Sequence, residues 1–380
     1  MYRNERRIVN VKSLSEADFA FRLGQRLLAA NNKPNINILY SPISIWLPLA
    51  ALTNAVDGRD KPMLLEVLGA KNASQIELNE YAKKMLSDLK IPDHSDSPMK
   101  IANTLLVASG DTVKKEFNSI FGYAYLGRTF NVDFASPEAI NAVNDWISRN
   151  TGGLINNVAD SRTFNINTSS VILNVIYFSD KWSLKFDTGN TKPGPFHAPF
   201  GDVTAKFMLR ECNSQQYFED ENIQAIALDC RNGGQMWIIL PKYQIANDFL
   251  ESLTALCFRN IKGKCRRRKG KLLLPRFEVN IDIDLEGALR EIGVSIFGTP
   301  LSGLIENGSV IITSVKQRAV IKVDEKGTTA AAVTSYVGVY AAAIPQLTDP
   351  FVMVCDKPFV FVLEKEDQIL FMGVFNNPEA

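Results

Sequence analysis

The spacing of hydrophobic residues predicts helices along the first half of the chain. In residues 17–29, apolar side chains recur every three or four positions, which places them on one face of a helix. Residues 43–54 follow Ser41 and Pro42 and are apolar on nearly every side, so a helix here must be buried. Similar spacing predicts further helices over residues 61–68, 75–89 and 139–149.

Other apolar segments have the pattern of strands. Residues 169–178 are almost continuously apolar, as expected for a strand that is covered on both faces. Asn174 is the one strongly polar residue inside that segment, and a buried amide must find hydrogen-bond partners. Apolar, aromatic and β-branched residues predict further strands over residues 100–108, 316–323, 351–354 and 359–363.

Residues 324–343 (DEKGTTAAAVTSYVGVYAAA) break both patterns. After Asp324, Glu325 and Lys326 the chain carries no charge until Asp349, and most residues in between are small or β-branched. On composition alone this is an ordinary exposed loop with an alanine-rich patch. Because predicted strands flank it, the segment is instead a long connection between strands, and such connections are usually functional or disordered.

Composition limits the classes of partner. The 380 residues are 46% hydrophobic and 22% charged, with a formal net charge of +1, which offers no overall field for nucleic acid or a membrane. No apolar run approaches the roughly 18 residues of a membrane span. The start, MYRNERRIVNVKSL, lacks the apolar core of a secretory signal. We therefore expect a cytoplasmic protein, or a mature or unconventionally secreted extracellular form.

Cysteines and histidines indicate no catalytic or metal centre. Five scattered cysteines without a C-x-x-C pair favour free thiols, whereas three glycosylation triplets at Asn72, Asn167 and Asn307 favour secretion. His94 and His197 lie in proline-containing segments, and the chain has no G-x-S-x-G, H-E-x-x-H, Walker or dinucleotide motif. We expect no enzyme activity, no cofactor and no metal.

Four motifs carry a family resemblance. DEKGTTAAAVTS (residues 324–335) resembles the proximal hinge of inhibitory serpins, and DKPFVFVLEKEDQILFMGVFNNP (356–378) resembles their C-terminal strand pair. LNVIYFSDKWSLKFD (173–187) and LYSPISIWLPLAAL (39–52) are similar to a central-sheet strand and to the helix behind it. The resemblance implies a single α+β serpin domain over residues 1–380, with three β-sheets, about nine helices, a metastable intact state and an exposed reactive-centre loop over about 325–350.

The resemblance also implies a function. Inhibitory serpins are monomeric suicide substrates of serine, and sometimes cysteine, proteases, and the cleaved loop inserts into the central sheet while the protease is still an acyl-enzyme. Non-inhibitory serpins, which act as carriers, chaperones or storage proteins, tend to break the hinge with charge, proline or bulk. No such residue occurs here, although Thr329 replaces the usual glutamate. The candidate hinge residues are Glu325, Gly327, Thr328, Ala330, Ala331 and Ala332.

Two further sites follow from the same resemblance. The shutter, where two central strands part, corresponds to Ser41, Ser44, Asn174 and Gln317. Gln317 stands where the family usually has histidine; because glutamine does not titrate near neutrality, we expect no pH dependence of sheet opening from this site. The breach, at the top of the sheet, corresponds to Trp182, Arg276 and Glu325. The alternative for its charged pair is a surface contact worth at most about 1 kcal/mol.

The family spacing from Glu325 places the scissile bond between Ala341 and Ala342, which suits an elastase-like pocket. The loop is several residues longer than usual, so Tyr340, Ala343 and Gln346 remain alternatives, and Tyr340 suits a chymotrypsin-like protease. No arginine or lysine lies between Lys326 and Lys357, which disfavours trypsin-like targets.

The densest positive charge lies in the basic segment, residues 262–271 (KGKCRRRKGK). Such clusters are usually solvated loops, but this one is concentrated enough to bind heparin or another sulfated glycan. It lacks the aromatic residues that stack on single-stranded nucleic acid. The candidate glycan-binding residues are Lys262, Lys264, Arg266, Arg267, Arg268, Lys269 and Lys271.

Overall fold

The computed structural model describes residues 16–30, 34–89, 99–153, 155–156, 158–160, 164, 168–243, 245–328 and 349–379. Nine α-helices lie within these ranges: α1 (Glu16–Ala30), α2 (Pro42–Leu52), α3 (Asp60–Val67), α4 (Gln75–Asp88), α5 (Lys115–Tyr125), α6 (Pro137–Asn150), α7 (Ala246–Ser252), α8 (Ala255–Lys264) and α9 (Glu286–Glu291). None of these helices is long and apolar enough to cross a membrane.

The same ranges contain sixteen strands: β1 (Ile38–Tyr40), β2 (Met99–Ala108), β3 (Gly127–Val132), β4 (Ser170–Phe178), β5 (Asp180–Lys181), β6 (Lys192–Ala198), β7 (Gly201–Glu219), β8 (Ile223–Asp229), β9 (Gln235–Pro241), β10 (Arg266–Pro275), β11 (Phe277–Asp284), β12 (Ile312–Val323), β13 (Gly327–Thr328), β14 (Phe351–Val354), β15 (Phe359–Lys365) and β16 (Gln368–Phe375). They form three sheets of nine, five and two strands.

The five-stranded sheet is the central one, with the order β11-β12-β4-β2-β3. Its inner strand β4 is buried along its whole length. Leu173 and Val175 belong to the core under α6, whereas Ile172 and Ile176 belong to the larger core on the opposite face. Burial on both faces explains why the sequence of β4 does not alternate between apolar and polar residues.

Strands β4 and β12 lie side by side and run parallel. Their ladder begins at the pair Ile312 and Ser170 and ends at Val320 and Tyr177. No strand separates them along that ladder, so the seam between β4 and β12 is closed. Among the described residues, no strand is therefore inserted between β4 and β12.

The nine-stranded sheet has the order β1-β16-β15-β9-β8-β7-β10-β14, with β6 paired to β7. Its last strand, β14, pairs parallel to β10 from Gly270 and Phe351 onward. Since β13 ends at Thr328 and β14 begins at Phe351, the segment between them connects the top of the central sheet to the edge of the nine-stranded sheet.

Candidate functional site

The described part of the hinge, residues 324–328, is already docked at the end of the central sheet. Strand β13 pairs antiparallel with β5, so that Gly327 lies opposite Lys181 and Thr328 opposite Asp180. The approach is so close that a Cβ on Gly327 would lie 2.0 Å from the carbonyl oxygen of Asp180. Glycine is therefore required at this position.

The breach holds the hinge through backbone carbonyls. The fully buried Trp182 donates from its backbone N to the oxygen of Lys326 (3.0 Å) and from its Nε1 to the oxygen of Asp324 (2.8 Å). Four residues further on, Phe186 donates its N–H to the oxygen of Glu325 (3.0 Å). Three consecutive hinge carbonyls are thus bound by one short segment of chain.

Glu325 and Arg276 form the charged pair of the breach. Glu325 is only 3% exposed, and its carboxylate accepts from Arg276 Nε (2.6 Å) and from the hydroxyl of Thr191. Burial acts to raise the pKa of Glu325, but these hydrogen bonds and the guanidinium charge outweigh it and hold the pKa below its usual value. A surface contact is therefore the wrong description of Glu325, and sequence reasoning missed Thr191 altogether.

The shutter residues meet behind the seam. Gln317 Nε2 donates to Asn174 Oδ1 (2.8 Å), and the hydroxyl of Ser44 is within 2.8 Å of the same nitrogen and 2.6 Å of the same oxygen. Ser41 takes part through its backbone, because its N–H donates to Gln317 Oε1 (2.8 Å) while its buried hydroxyl has no hydrogen-bond partner in the described residues.

Asn103 extends this cluster and was not identified from the sequence. Asn103, Asn174 and Gln317 lie opposite one another on β2, β4 and β12, so three amides occupy one row of the sheet. Asn174 Nδ2 donates to Asn103 Oδ1 (2.5 Å), and Asn103 Nδ2 donates to the oxygen of Tyr125 (3.1 Å). Asn103 could have been identified from the sequence, because it is a lone asparagine in an apolar strand, the same feature that identified Asn174.

At the other end of the connection, the chain is fixed to the nine-stranded sheet. Arg268 Nη2 donates to the oxygen of Asp349 (2.6 Å), and the rings of Tyr217 and Phe351 stack with centroids 4.1 Å apart. The candidate scissile residues Ala341 and Ala342, their alternatives Tyr340, Ala343 and Gln346, and the hinge residues Ala330, Ala331 and Ala332 lie outside the described residues.

The basic segment is not a solvated loop, because it comprises the end of α8 and the start of β10. Two of its cations pair with carboxylates: Lys262 with Glu364 (2.6 Å) and Lys271 with Glu211 (3.1 Å). Arg268 is half-buried and anchors Asp349. The exposed cations of the segment, apart from the paired Lys271, are Lys264, Arg266, Arg267 and Lys269.

The titratable side chains form no metal centre among the described residues, where no group of three or more His, Cys, Asp or Glu side chains could hold an ion. The five cysteines are free thiols: Cys212, Cys230 and Cys355 are buried, Cys265 is half-buried and Cys257 is exposed. Burial raises the pKa of the Cys265 thiol to about 11, so it is protonated at neutral pH. His197 contacts Asp202 (2.8 Å) at the surface.

Comparison with known proteins agrees with this geometry. A family model described as Serpin (serine protease inhibitor) matches residues 14–378. A serpin-like protein of Thermococcus kodakarensis is 31% identical over 368 residues, which cover 95% of this chain and 84% of that protein. The structure of Serpin48 from the insect Tenebrio molitor, described as a highly specific serpin, has a TM-score of 0.82 at 25% identity and covers 99% of this chain and 100% of its own.

Human thyroxine-binding globulin, solved with its hormone, has a TM-score of 0.85 at 22% identity and covers 98% of this chain and 99% of its own. At that identity the likeness shows the fold alone. Serpins are in general protease inhibitors, although thyroxine-binding globulin is a member that is not. The expected α+β serpin fold is confirmed, and the chain belongs to the serpin family.

Proposed function

We propose that the chain is a suicide-substrate inhibitor of serine proteases. The observation that carries this proposal is the position of the hinge. Gly327 and Thr328 pair with β5, directly beyond the point where the β4–β12 ladder ends. The next segment therefore begins at the open end of a closed seam, and it contains no charge that would prevent burial between the strands.

The proposed reaction has two stages. The protease serine attacks the scissile carbonyl in the loop, releases the downstream segment as an amine and remains attached as an acyl-enzyme. The upstream segment, which follows Gly327 and carries the acyl-enzyme at its new end, then adds to the central sheet as a strand between β4 and β12. About a dozen new ladder hydrogen bonds at about 1 kcal/mol each would supply on the order of 10 kcal/mol, which is enough to displace and deform the attached protease before deacylation.

The residues of the loop support insertion. A strand turns alternate residues to one face, and the alternate set that starts at Thr328 continues through Ala330, Ala332 and Thr334. These side chains are small, and insertion requires that the β4–β12 ladder, the shutter hydrogen bonds and the turn at residues 324–327 open to admit them. An Ala341–Ala342 scissile bond would favour an elastase-like protease, whereas cleavage after Tyr340 would favour a chymotrypsin-like one.

The experiment is incubation with pancreatic elastase and with chymotrypsin, followed by denaturing electrophoresis. An inhibitor gives an SDS-stable adduct at the mass of the protease plus this chain, less the released C-terminal fragment. A protease whose serine nucleophile has been blocked beforehand gives none. The mass of the released C-terminal fragment identifies the scissile bond. If the loop is cut while the protease keeps its activity and no adduct forms, the chain is a non-inhibitory serpin, a carrier or chaperone, instead.

A second candidate function is binding of a sulfated glycan through the basic segment. The exposure of Lys264 at the end of α8 and of Arg266, Arg267 and Lys269 at the adjoining start of β10 favours it. The test is retention on immobilised heparin in a salt gradient. Substitution of Arg266, Arg267 and Lys269 by glutamine should lower the eluting salt concentration, whereas a matched triple at the exposed Lys71, Lys84 and Lys115 should not. An equal fall in the eluting salt concentration for both triple variants would indicate only a non-specific effect of charge.

A further inference from the structure

Arg210 on β7 is a buried cation that the proposed mechanism does not yet use. It is 5% exposed, and among the described residues its guanidinium hydrogen-bonds to a carbonyl and to an amide oxygen but to no carboxylate. Its Nε is buried without a hydrogen-bond partner there. Burying an unpaired charge is costly, so the contacts that the guanidinium does make need an explanation.

Those contacts converge on one surface turn. Arg210 Nη1 donates to the carbonyl oxygen of Leu184 (2.7 Å), and the guanidinium lies 4.7 Å from the ring centre of Phe186. Leu184 and Phe186 belong to the breach turn, residues 183–187, which follows Trp182. The side chain of Leu184 is exposed, so at this residue the turn is held by Arg210, while the N–H of Ser183 donates to the oxygen of Asp229 (2.8 Å) and Phe186 is buried.

The breach turn in turn fixes the hinge. Trp182 donates two hydrogen bonds to hinge carbonyls, Phe186 donates a third, and the ring of Phe186 packs edge-on against Trp182 at 6.4 Å. Arg210 is thus separated from the hinge backbone by a single residue, Phe186. The guanidinium of Arg210 is itself held by Gln215, whose Oε1 accepts a hydrogen bond from Arg210 Nη2 (3.3 Å).

We propose that Arg210 is a positioning residue that holds the breach turn against the hinge and so restrains loop insertion before cleavage. The inference rests on the insertion mechanism proposed above. Residues 324–327 form a tight turn in the intact protein, with Asp324 bridged to Gly327. Because continuation of β12 into an inserted strand must open that turn, the contacts that depend on Arg210 stabilise the uninserted state selectively.

The test compares Arg210→Met with Arg290→Met. Arg290 on α9 is the control, because its Nη1 also donates to a carbonyl (Phe297, 3.1 Å) and its guanidinium also lies over a ring (5.1 Å). Unlike Arg210 it is exposed and pairs with Glu286 (2.8 Å), and it has no contact with the breach turn among the described residues. Each variant is measured intact and after cleavage within residues 329–348. A synthetic peptide of residues 328–341 is also annealed to the intact protein, and the rate is followed on native gels.

The expected result is specific to the intact form. Arg210→Met should lower the Tm of the intact protein by several degrees, leave the Tm of the cleaved protein unchanged and speed peptide annealing about fivefold or more. Arg290→Met should shift both forms alike and leave annealing at the wild-type rate. Equal destabilisation of both forms by Arg210→Met, with unchanged annealing, would show that Arg210 only supports the fold and would overturn the proposal.

Phe186→Leu removes the ring that Arg210 contacts. If Arg210→Met does not fold, the same measurements are made on Phe186→Leu instead. It should also speed annealing, whereas Arg210→Lys, which keeps a donor for Leu184, should restore part of the slow rate. An unchanged rate in Phe186→Leu contradicts the proposal. Failure of the wild-type protein to anneal the peptide, or to gain heat resistance on cleavage, would instead contradict the proposed insertion mechanism itself.

Discussion

Gln317 on β12 and Asn174 on β4 join their side-chain amides across the seam of the central sheet, with 2.8 Å between Gln317 Nε2 and Asn174 Oδ1. The two residues lie directly opposite each other in the parallel ladder. A strand that inserts between β4 and β12 must separate them. This hydrogen bond is therefore part of the barrier that keeps the intact sheet closed.

Replacement of Gln317 by alanine should weaken that barrier. It removes the acceptor for the buried N–H of Ser41 as well as the donor to Asn174, and an unsatisfied buried donor together with a lost contact costs about 2 kcal/mol. We expect a lower urea midpoint for the intact protein and faster annealing of the 328–341 peptide. Gln224→Ala, which removes hydrogen bonds to the oxygen of Val352 and to the hydroxyl of Tyr217 outside the central sheet, is the control and should change neither by much. A Gln317→Ala protein that is as stable as the wild type would show that the amide row does not close the sheet.

Replacement of Gln317 by histidine should introduce a pH dependence that the shutter now lacks. The residues that surround Gln317 there are serines and asparagines, which do not titrate near neutrality. A buried histidine has a pKa below its unfolded value of about 6.5, so protonation favours the open sheet. The annealing rate of Gln317→His should therefore rise as the pH falls from 8 to 5.5, relative to the wild-type protein at each pH. Parallel pH profiles for the two proteins would contradict this.

Glu325→Gln tests the charged pair of the breach. The variant loses charge-assisted hydrogen bonds to Arg276 and Thr191, which are worth about 2 kcal/mol, so its intact form should have a lower Tm at pH 7. Because the folded pKa of Glu325 lies below its usual value of 4.5, the wild-type advantage is present above pH 4.5 and disappears as the pH falls through the lower folded pKa. Thermal melts of both proteins from pH 7 to pH 3 measure it. An advantage that persists unchanged at the acid end would mean that ionisation of Glu325 is irrelevant.

The sequence predicted the strands and helices that are buried on all sides. Continuous apolar character identified β4 and α2, because burial on all sides leaves no other pattern. The basic segment was harder to interpret, since its cations resemble a solvated loop, while Arg266, Arg267 and Arg268 in fact pair with residues 215–217 of β7. Pairing with a distant strand overrode the local composition, as is common in sheets.

The polar residues of the site show the same limit. Asn174 was identifiable because an amide inside an apolar strand must be bonded. Thr191, Phe186 and Arg210 carried no such signal, since each contacts the hinge or the breach turn only after folding brings segments together. Thr191, for example, bonds to Glu325, 134 positions later in the chain. Chemistry that depends on tertiary contacts between ordinary residues is not visible in a single sequence.

Thr328→Arg is the most direct test of the inhibitory mechanism. Thr328 is the first residue of the segment proposed to insert, and it already lies opposite Asp180 at the end of the seam. An arginine that had to be buried between strands would cost several kcal/mol, which slows insertion so that deacylation is completed first. The variant should therefore be cut at the wild-type bond but release active protease, without an SDS-stable adduct.

Heat resistance provides a second measurement on the same variant. Wild-type protein should gain at least 10 °C in Tm when the loop is cut, because the inserted strand stabilises the sheet by on the order of 10 kcal/mol, whereas cut Thr328→Arg should gain far less. Thr313→Arg on β12, an exposed threonine near the far end of the seam, controls for the effect of the added charge and should keep both the adduct and the gain. If Thr328→Arg still traps protease and still becomes heat-resistant, a segment beginning at Thr328 is not the strand that inserts.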